Sequence, residues 1–405
     1  MWQTGPILRA LWRNKAGALL VIIQMALTLA IVSNALTIID ERETMMNRPT
    51  GMADKELFSL TAYPSVKAPL DKGKVAYDLD RLRQLPGVIE ATLINQIPMS
   101  GSGSSSGFRI GEAENDPDAQ NTGANIYHAS TTVLSALGLK LTKGRDFQPS
   151  DLYVWGGMGQ ADAPVAIISQ RLANELYPDQ DPIGKTITRG NGQMEIIGVV
   201  ETMLGAWPEW SRAGNVVITP TFSTNTLLPR YLIRVQADRK AELMEQVRDL
   251  LLEIDPNRVI LSMRTTEEYI HRVYSRDILM VALLKVCIAI LALITALGIT
   301  GLTVFWVNQR RKQVGTRRAL GATKAAVVRH FLVENGLLCG VAMVVGTGLA
   351  LALNGLLVQH YQLPPLPLPY LLGSLAALVV LGQLSALAPA LKAAQISPAT
   401  ATRSV

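Results

Sequence analysis

Several residue patterns in this chain have the spelling of chemistry. Gly103-Ser104-Ser105-Ser106-Gly107 fits G-x-S-x-G, the elbow that presents a nucleophilic serine. That elbow must lead from a strand into a helix. Here a flexible Gly/Ser turn at 101–107 runs into Phe108-Arg109-Ile110-Gly111, which does not read as helical, so the match is attributed to chance. Gly184-Lys185-Thr186 has the ending of a phosphate-binding loop, but the glycine required five positions earlier is Asp179, whose carboxylate would repel phosphate. His128, His271, His330 and His360 show no metal-ligand spacing. Lys285 interrupts an apolar run, and an intramembrane ionisable group is a functional candidate by default. About two turns from the outer end of that run, it is better placed to snorkel to the interface. No acid–base or nucleophile set survives. The sequence predicts no catalytic, cofactor-binding or metal-ligating residue, and therefore no enzyme.

The elements that hold these residues follow from charge. Of the 32 acidic residues, 31 lie between positions 40 and 277, and the other is Glu334. With 25 of the 38 Lys and Arg, that stretch nets −6; the remainder, 13 cations against one acid, nets +12. A spanning helix needs roughly 20 apolar residues to cross about 30 Å of hydrocarbon. Residues 16–39 and 278–308 qualify. A run without any acidic or basic residue from 335 to 391 is divided by Gln359-His360-Tyr361-Gln362-Leu363-Pro364-Pro365 into spans at 334–358 and 369–391.

Cations in short loops mark the cytoplasmic side, whereas long domains cross largely regardless of charge. Arg9, Arg13 and Lys15 precede the first span. Arg310, Arg311, Lys312, Arg317, Arg318, Lys324 and Arg329 fill the segment after the second, and Lys392 and Arg403 follow the fourth. Both termini are therefore expected in the cytoplasm, with 40–277 outside, 309–330 a cytoplasmic loop and 392–405 a cytoplasmic tail. Residues 1–15, which place Trp2, Ile7, Leu8, Leu11 and Trp12 among cations, read as an interfacial amphipathic helix. The first span is too long for a signal-peptide core and reads as an uncleaved anchor. Both cysteines, Cys287 and Cys339, fall inside spans, so no disulfide is expected outside.

After a helical stalk to about residue 54, the outer segment repeats one order of elements. A strand at 57–63, a helix at 78–85 and a strand at 88–97 are answered by a strand at 231–235, a helix at 241–254 and a strand at 259–263. These units, about 55–97 and 215–264, form the membrane-proximal part. A more irregular distal subdomain at 98–214 is inserted between them, with strands at 165–168 and 195–200. A helix at 265–276 leads into the second span. The fold class is an α-helical membrane protein with four transmembrane helices and a large α+β extracytoplasmic domain made of two subdomains. Gly336 and Gly340 form G-x-x-x-G, which permits close helix packing.

Arg310-Arg311-Lys312-Gln313-Val314-Gly315-Thr316-Arg317-Arg318-Ala319-Leu320-Gly321-Ala322-Thr323 resembles the inner-loop signature of FtsX-type permeases of ABC transporters. Gly144-Arg145-Asp146-Phe147, Val165-Ala166-Ile167-Ile168, Asp181-Pro182-Ile183-Gly184-Lys185 and Ile196-Ile197-Gly198-Val199-Val200 resemble the periplasmic core domain of MacB-type exporters. Ala388-Pro389-Ala390 and Ile396-Ser397-Pro398 are similar to the family's usual ending.

The resemblance implies a dimer in the bacterial inner membrane, whose second permease is the same or a homologous chain. A pair of cytoplasmic ABC ATPase subunits would drive it, binding the ATP and Mg that this chain does not. No ATPase is fused here, so a separate subunit is expected. A membrane-fusion adaptor and an outer-membrane channel are further partners the family admits. Arg310, Arg311, Gln313, Gly315, Arg317, Arg318 and Gly321 would couple to the ATPase, with Arg311, Gln313, Arg317 and Arg318 projecting from a short helix and Gly315 and Gly321 allowing close packing or a turn. The family usually has a glutamate where Gln313 stands, which removes an ion pair and is compatible with a heterodimer. Nucleic acid is not expected, because cations between two spans meet lipid headgroups or a cytoplasmic protein.

The function implied is the permease subunit of an ATP-driven exporter or mechanotransmission complex acting on substrates in the outer compartment. Lipoprotein extraction and FtsX-like regulation of a cell-wall hydrolase are the alternatives. The size and two-part build of the outer domain favour the first over the last.

Overall fold

The computed structural model describes residues 15–63, 70–110, 121–157, 163–225, 228–361 and 364–396. The interfacial helix read at 1–15 and most of the tail at 392–405 lie outside them. The chain forms two units, Met1–Thr44 with Asp277–Val405, and Met45–Arg276. Helix α1 (Lys15–Met46) continues past the apolar run read at 16–39, but ends short of the stalk read to residue 54.

In the outer unit, β1 (Leu57–Tyr63), α2 (Lys72–Arg83) and β2 (Val88–Ile94) form the first strand–helix–strand set. Asp71 starts α2 by accepting from the amides of Gly73 at 2.7 Å and Lys74 at 3.1 Å. The insertion carries β3 (Ser105–Ile110), β4 (Asn121–Ala129), α3 (Val133–Leu137), β5 (Leu141–Gly144) and β6 (Tyr153–Trp155). It continues through β7 (Val165–Ser169), α4 (Gln170–Leu176), β8 (Thr186–Arg189), β9 (Gly192–Val200) and β10 (Val216–Ser223). The second set is β11 (Arg230–Val235), α5 (Lys240–Ile254) and β12 (Val259–Thr265). The short α6 (Thr266–Val273) follows, closed at its start by a capping box between Thr265 and Glu268.

The two sets interleave. Their strands run antiparallel in the order β12-β1-β11-β2, so each helix crosses over a strand of the other set, the split β-α-β arrangement. Leu79 and Leu82 of α2, with Leu243, Val247 and Leu251 of α5, lie at helical spacing and pack on Phe58, Leu60, Leu93 and Ile233. Buried Asp78 accepts from Tyr231 Oη at 2.6 Å and Arg258 Nη2 at 2.9 Å, so its charge is paired.

Residues read as irregular are a sheet. Strands β4-β3-β8-β9-β7-β10 pair in succession, and β10 returns to pair with β4, closing a six-stranded ring. Closure removes the exposed edges that short strands would otherwise present. Phe108, Ile126, Ile168, Ile187, Ile196 and Val217 form one core with Leu172 and Leu176 of α4. A single register pair, Ile94 with Ala129, links the ring to β2. This corrects the boundary at 214: β10, read as part of 215–264, pairs with β4 and β7 and belongs to the ring. Its residues from Val216 to Phe222 are all buried, so no alternation of polar and apolar positions indicates which partners it takes.

The unit of Met1–Thr44 with Asp277–Val405 adds α7 (Ser275–Gln309), α8 (Arg311–Ala319), α9 (Lys324–Tyr361) and α10 (Leu368–Ala394) to α1. Among the described residues four helices, α1, α7, α9 and α10, are long and apolar enough to cross a membrane. Polar pairs tie them together: Thr28 with Thr295 at 2.9 Å, Asn34 Nδ2 to Ala350 O at 3.1 Å, and Asn335 Nδ2 to Gly382 O at 3.0 Å. Lys285 Nζ meets Glu43 Oε1 at 2.7 Å, so its charge is paired. The G-x-x-x-G reading does not carry over to Gly340, which has open space at its Cβ direction, whereas at Gly336 a Cβ would lie 3.3 Å from Gln383 Nε2. The close approach is at Gly346, where a Cβ would sit 3.0 Å from Ala26 Cα. Spacing alone does not say which face of a helix meets its neighbour.

Candidate coupling site

Helix α8 is short, and its sequence gives it two unlike faces. Val314 and Gly315 are buried, while Arg311, Lys312, Gln313, Thr316 and Arg317 are exposed. Val314 joins a cluster with Val307 of α7, Val327 and Phe331 of α9, and Ala390 and Ala393 of α10, so one face packs on all three helices.

Both ends of α8 are defined by the backbone. The chain turns at Arg310, whose carbonyl accepts from Val314 N at 3.0 Å. At the other end Gly321 adopts φ +97°, Gly321 N donates to Arg318 O at 3.1 Å and Ala322 N to Arg317 O at 3.0 Å. That pair of bonds is a Schellman stop, which needs the left-handed conformation glycine takes freely. Gly321 therefore makes the turn. Thr323 then starts α9 by accepting from Ala326 N at 3.2 Å.

The seven residues read as one coupling set divide in two. Arg310 Nη1 reaches Glu334 Oε2 at 2.7 Å, where the acid's side chain is 1% exposed. Arg318 Nη1 donates to the carbonyls of Ala394 at 2.9 Å and Ile396 at 2.8 Å, placing a cation at the carbonyl end of α10. Arg310, Arg318, Gly315 and Gly321 thus hold α8 within its own unit. The expectation that Arg318 projects outward is corrected, since these carbonyls lack helical partners and take its guanidinium. Arg311, Gln313 and Arg317 remain exposed. The residue absent from the sequence-derived set is Glu334, although it is the one acid outside 40–277.

The other patterns resolve into structure. Ser105, Ser106 and Gly107 lie within β3 itself, not at a strand-to-helix turn. Gly184 sits in a turn closed by Lys185 N to Pro182 O at 3.1 Å and leads into β8, where a phosphate loop would lead into a helix. His128 Nδ1 lies 2.7 Å from Thr219 Oγ1, and burial, with the nearby charge of Arg189, pushes its pKa down to about 4. It is a half-buried residue of β4 held against β10.

Two family models match successive parts of the chain. The MacB-like periplasmic core domain model matches residues 18–254, and the FtsX-like permease C-terminal model matches 285–398. The macrolide export ATP-binding/permease protein MacB of Neisseria meningitidis is 26% identical over 287 residues, which is 68% of this chain and 42% of that protein. The pyoverdine export ATP-binding/permease protein PvdT of Pseudomonas fluorescens is 24% identical over 406 residues, 98% of this chain and 58% of that protein. The chain thus spans about half the length of these relatives. Among solved structures, the periplasmic region of MacB from Actinobacillus actinomycetemcomitans aligns at a TM-score of 0.34 and 15% identity, covering 56% of this chain and 95% of that one. With four helices among the described residues long and apolar enough to cross a membrane, and a periplasmic core-domain match over residues 18–254, this is a membrane protein with a large extracytoplasmic domain, and it belongs to the MacB/FtsX-type ABC transporter permease family.

Proposed function

We propose that this chain is the permease subunit of an ATP-driven, MacB-like export complex acting on substrates in the outer compartment. A separate cytoplasmic ATPase pair, with its ATP and Mg, would dock on α8. A second permease, the same or a homologous chain, completes the membrane part. On this reading the membrane is the bacterial inner membrane, both termini are cytoplasmic, and α8 lies on their side.

One observation carries the proposal: the free face of α8 is cationic while its opposite face is anchored to three membrane helices. Such a helix transmits displacement, because a push on Arg311 and Arg317 is carried through Val314, the Arg310–Glu334 pair and the Arg318 bonds. Force would then reach the outer domain along α1 and α7, between which that domain is inserted in the chain. The names of MacB and PvdT mark those proteins as exporters.

The test is Arg311→Glu with Arg317→Glu. Both side chains are exposed, so insertion and folding should persist. Placing like charges at an interface can cost several kcal/mol. The expected result is at least a tenfold loss of co-purifying ATPase, or ATP hydrolysis without transport. Wild-type association and transport in reconstituted vesicles would refute the docking role.

A further inference from the structure

The first turns of α9 and the last turns of α10 border a groove of about 650 Å³, and two of its lining residues, Val328 and Ala394, also pack in the cluster beneath α8. Its lining is ordered by polarity. Lys324 and Arg329 are exposed near the start of α9, and neither has an ion-pair partner among the described residues. Val328, Leu332, Val333 and Leu391 form apolar walls. Gln383 lies at the far end on α10, and Ala394 and Gln395 lie at the cationic end.

The dimensions fit one leaflet. From Lys324 to Val333 the helix rises about 14 Å, and from Gln383 to Ala394 about 16 Å, at 1.5 Å per residue. Half of a hydrocarbon core of roughly 30 Å is about 15 Å. The positive end of a 38-residue helix adds to the two side-chain charges at the mouth. We infer that this groove holds one anionic glycerophospholipid, its phosphate at Lys324 and Arg329 and an acyl chain along Val328, Leu332 and Leu391.

Other occupants match the lining less well. The chain's own N-terminal segment carries Arg9, Arg13 and Lys15, which repel the cationic mouth. A soluble protein could meet the cations, but it leaves the apolar walls below headgroup level uncovered. Basic pockets between membrane helices are established in general as sites for anionic lipid headgroups.

The test is native mass spectrometry of the full chain released from phosphatidylcholine nanodiscs containing a minority of phosphatidylglycerol. Wild type should carry one phosphatidylglycerol in preference to phosphatidylcholine. Lys324→Gln with Arg329→Gln should weaken retention roughly thirtyfold, taking about 1 kcal/mol per cation and 1.4 kcal/mol per decade. Val328→Trp, which keeps both cations and fills the groove, should also lose the lipid. Arg311→Gln with Arg317→Gln removes the same charge from α8 and should leave it bound. Excess inorganic phosphate should not displace it. Equal loss in the α8 control would overturn the site in favour of diffuse attraction. Unchanged retention in both groove variants, or displacement by inorganic phosphate, would overturn it outright.

Discussion

A buried carboxylate is costly unless it is paired, and removing one partner of a buried pair typically costs 3–5 kcal/mol. Glu334 is such a group. One oxygen is bonded to Arg310 at 2.7 Å, while Oε1 has no hydrogen-bond partner among the described residues. Glu334→Gln would leave Arg310, only 14% exposed, without a counter-charge, and a loss of about 3 kcal/mol is expected. Arg310→Met with Glu334→Leu should recover most of that loss, because the desolvation cost disappears with both charges. Thermal unfolding of the purified chain in one detergent reads the order. A single variant as stable as wild type, or a double variant below both singles, would contradict this role. The sequence shows Glu334 as an exception in the charge map but not its partner 24 residues away. It shows even less for Arg318, whose partners are backbone carbonyls and have no residue signature.

Among the elements, the long helices are legible because membrane crossing demands length and apolarity together. Their ends are not. Helix α9 starts at Lys324, well before the apolar run read from 334, because the Thr323 cap and the Schellman stop at Gly321 set the boundary and hydropathy does not. The interleaved strand–helix–strand sets are legible from their repeat. The six-stranded ring is not, since its strands are short, glycine-containing or buried throughout, and its closure depends on pairings distant in sequence. The same limit applies to Gly315. Spelling alone makes it a close approach for a partner, but it is buried within this chain. Gly315→Leu is therefore expected to overpack that face and lower stability by about 1–3 kcal/mol. A lowered midpoint in thermal unfolding, even without an ATPase present, checks this. An unchanged midpoint would return Gly315 to an outward, docking role.

At the scale of the whole molecule, the charge partition and the core-domain and permease matches describe one design, an outer domain inserted between the first two of four membrane helices. The family follows from that design. The export reading goes further and depends on α8 meeting an ATPase in the assembled complex. Gln313 lies on the exposed face of α8, between Arg311 and Arg317, and is engaged by none of the anchoring bonds. Replacing it with a photo-crosslinking amino acid, in cells carrying the complete complex, tests the contact itself. The account predicts an adduct at position 313 that contains a nucleotide-binding ATPase subunit, while the same probe at Ser104 in the outer domain gives none. No protein adduct, or only lipid adducts, at position 313 in a complex that still transports would contradict it.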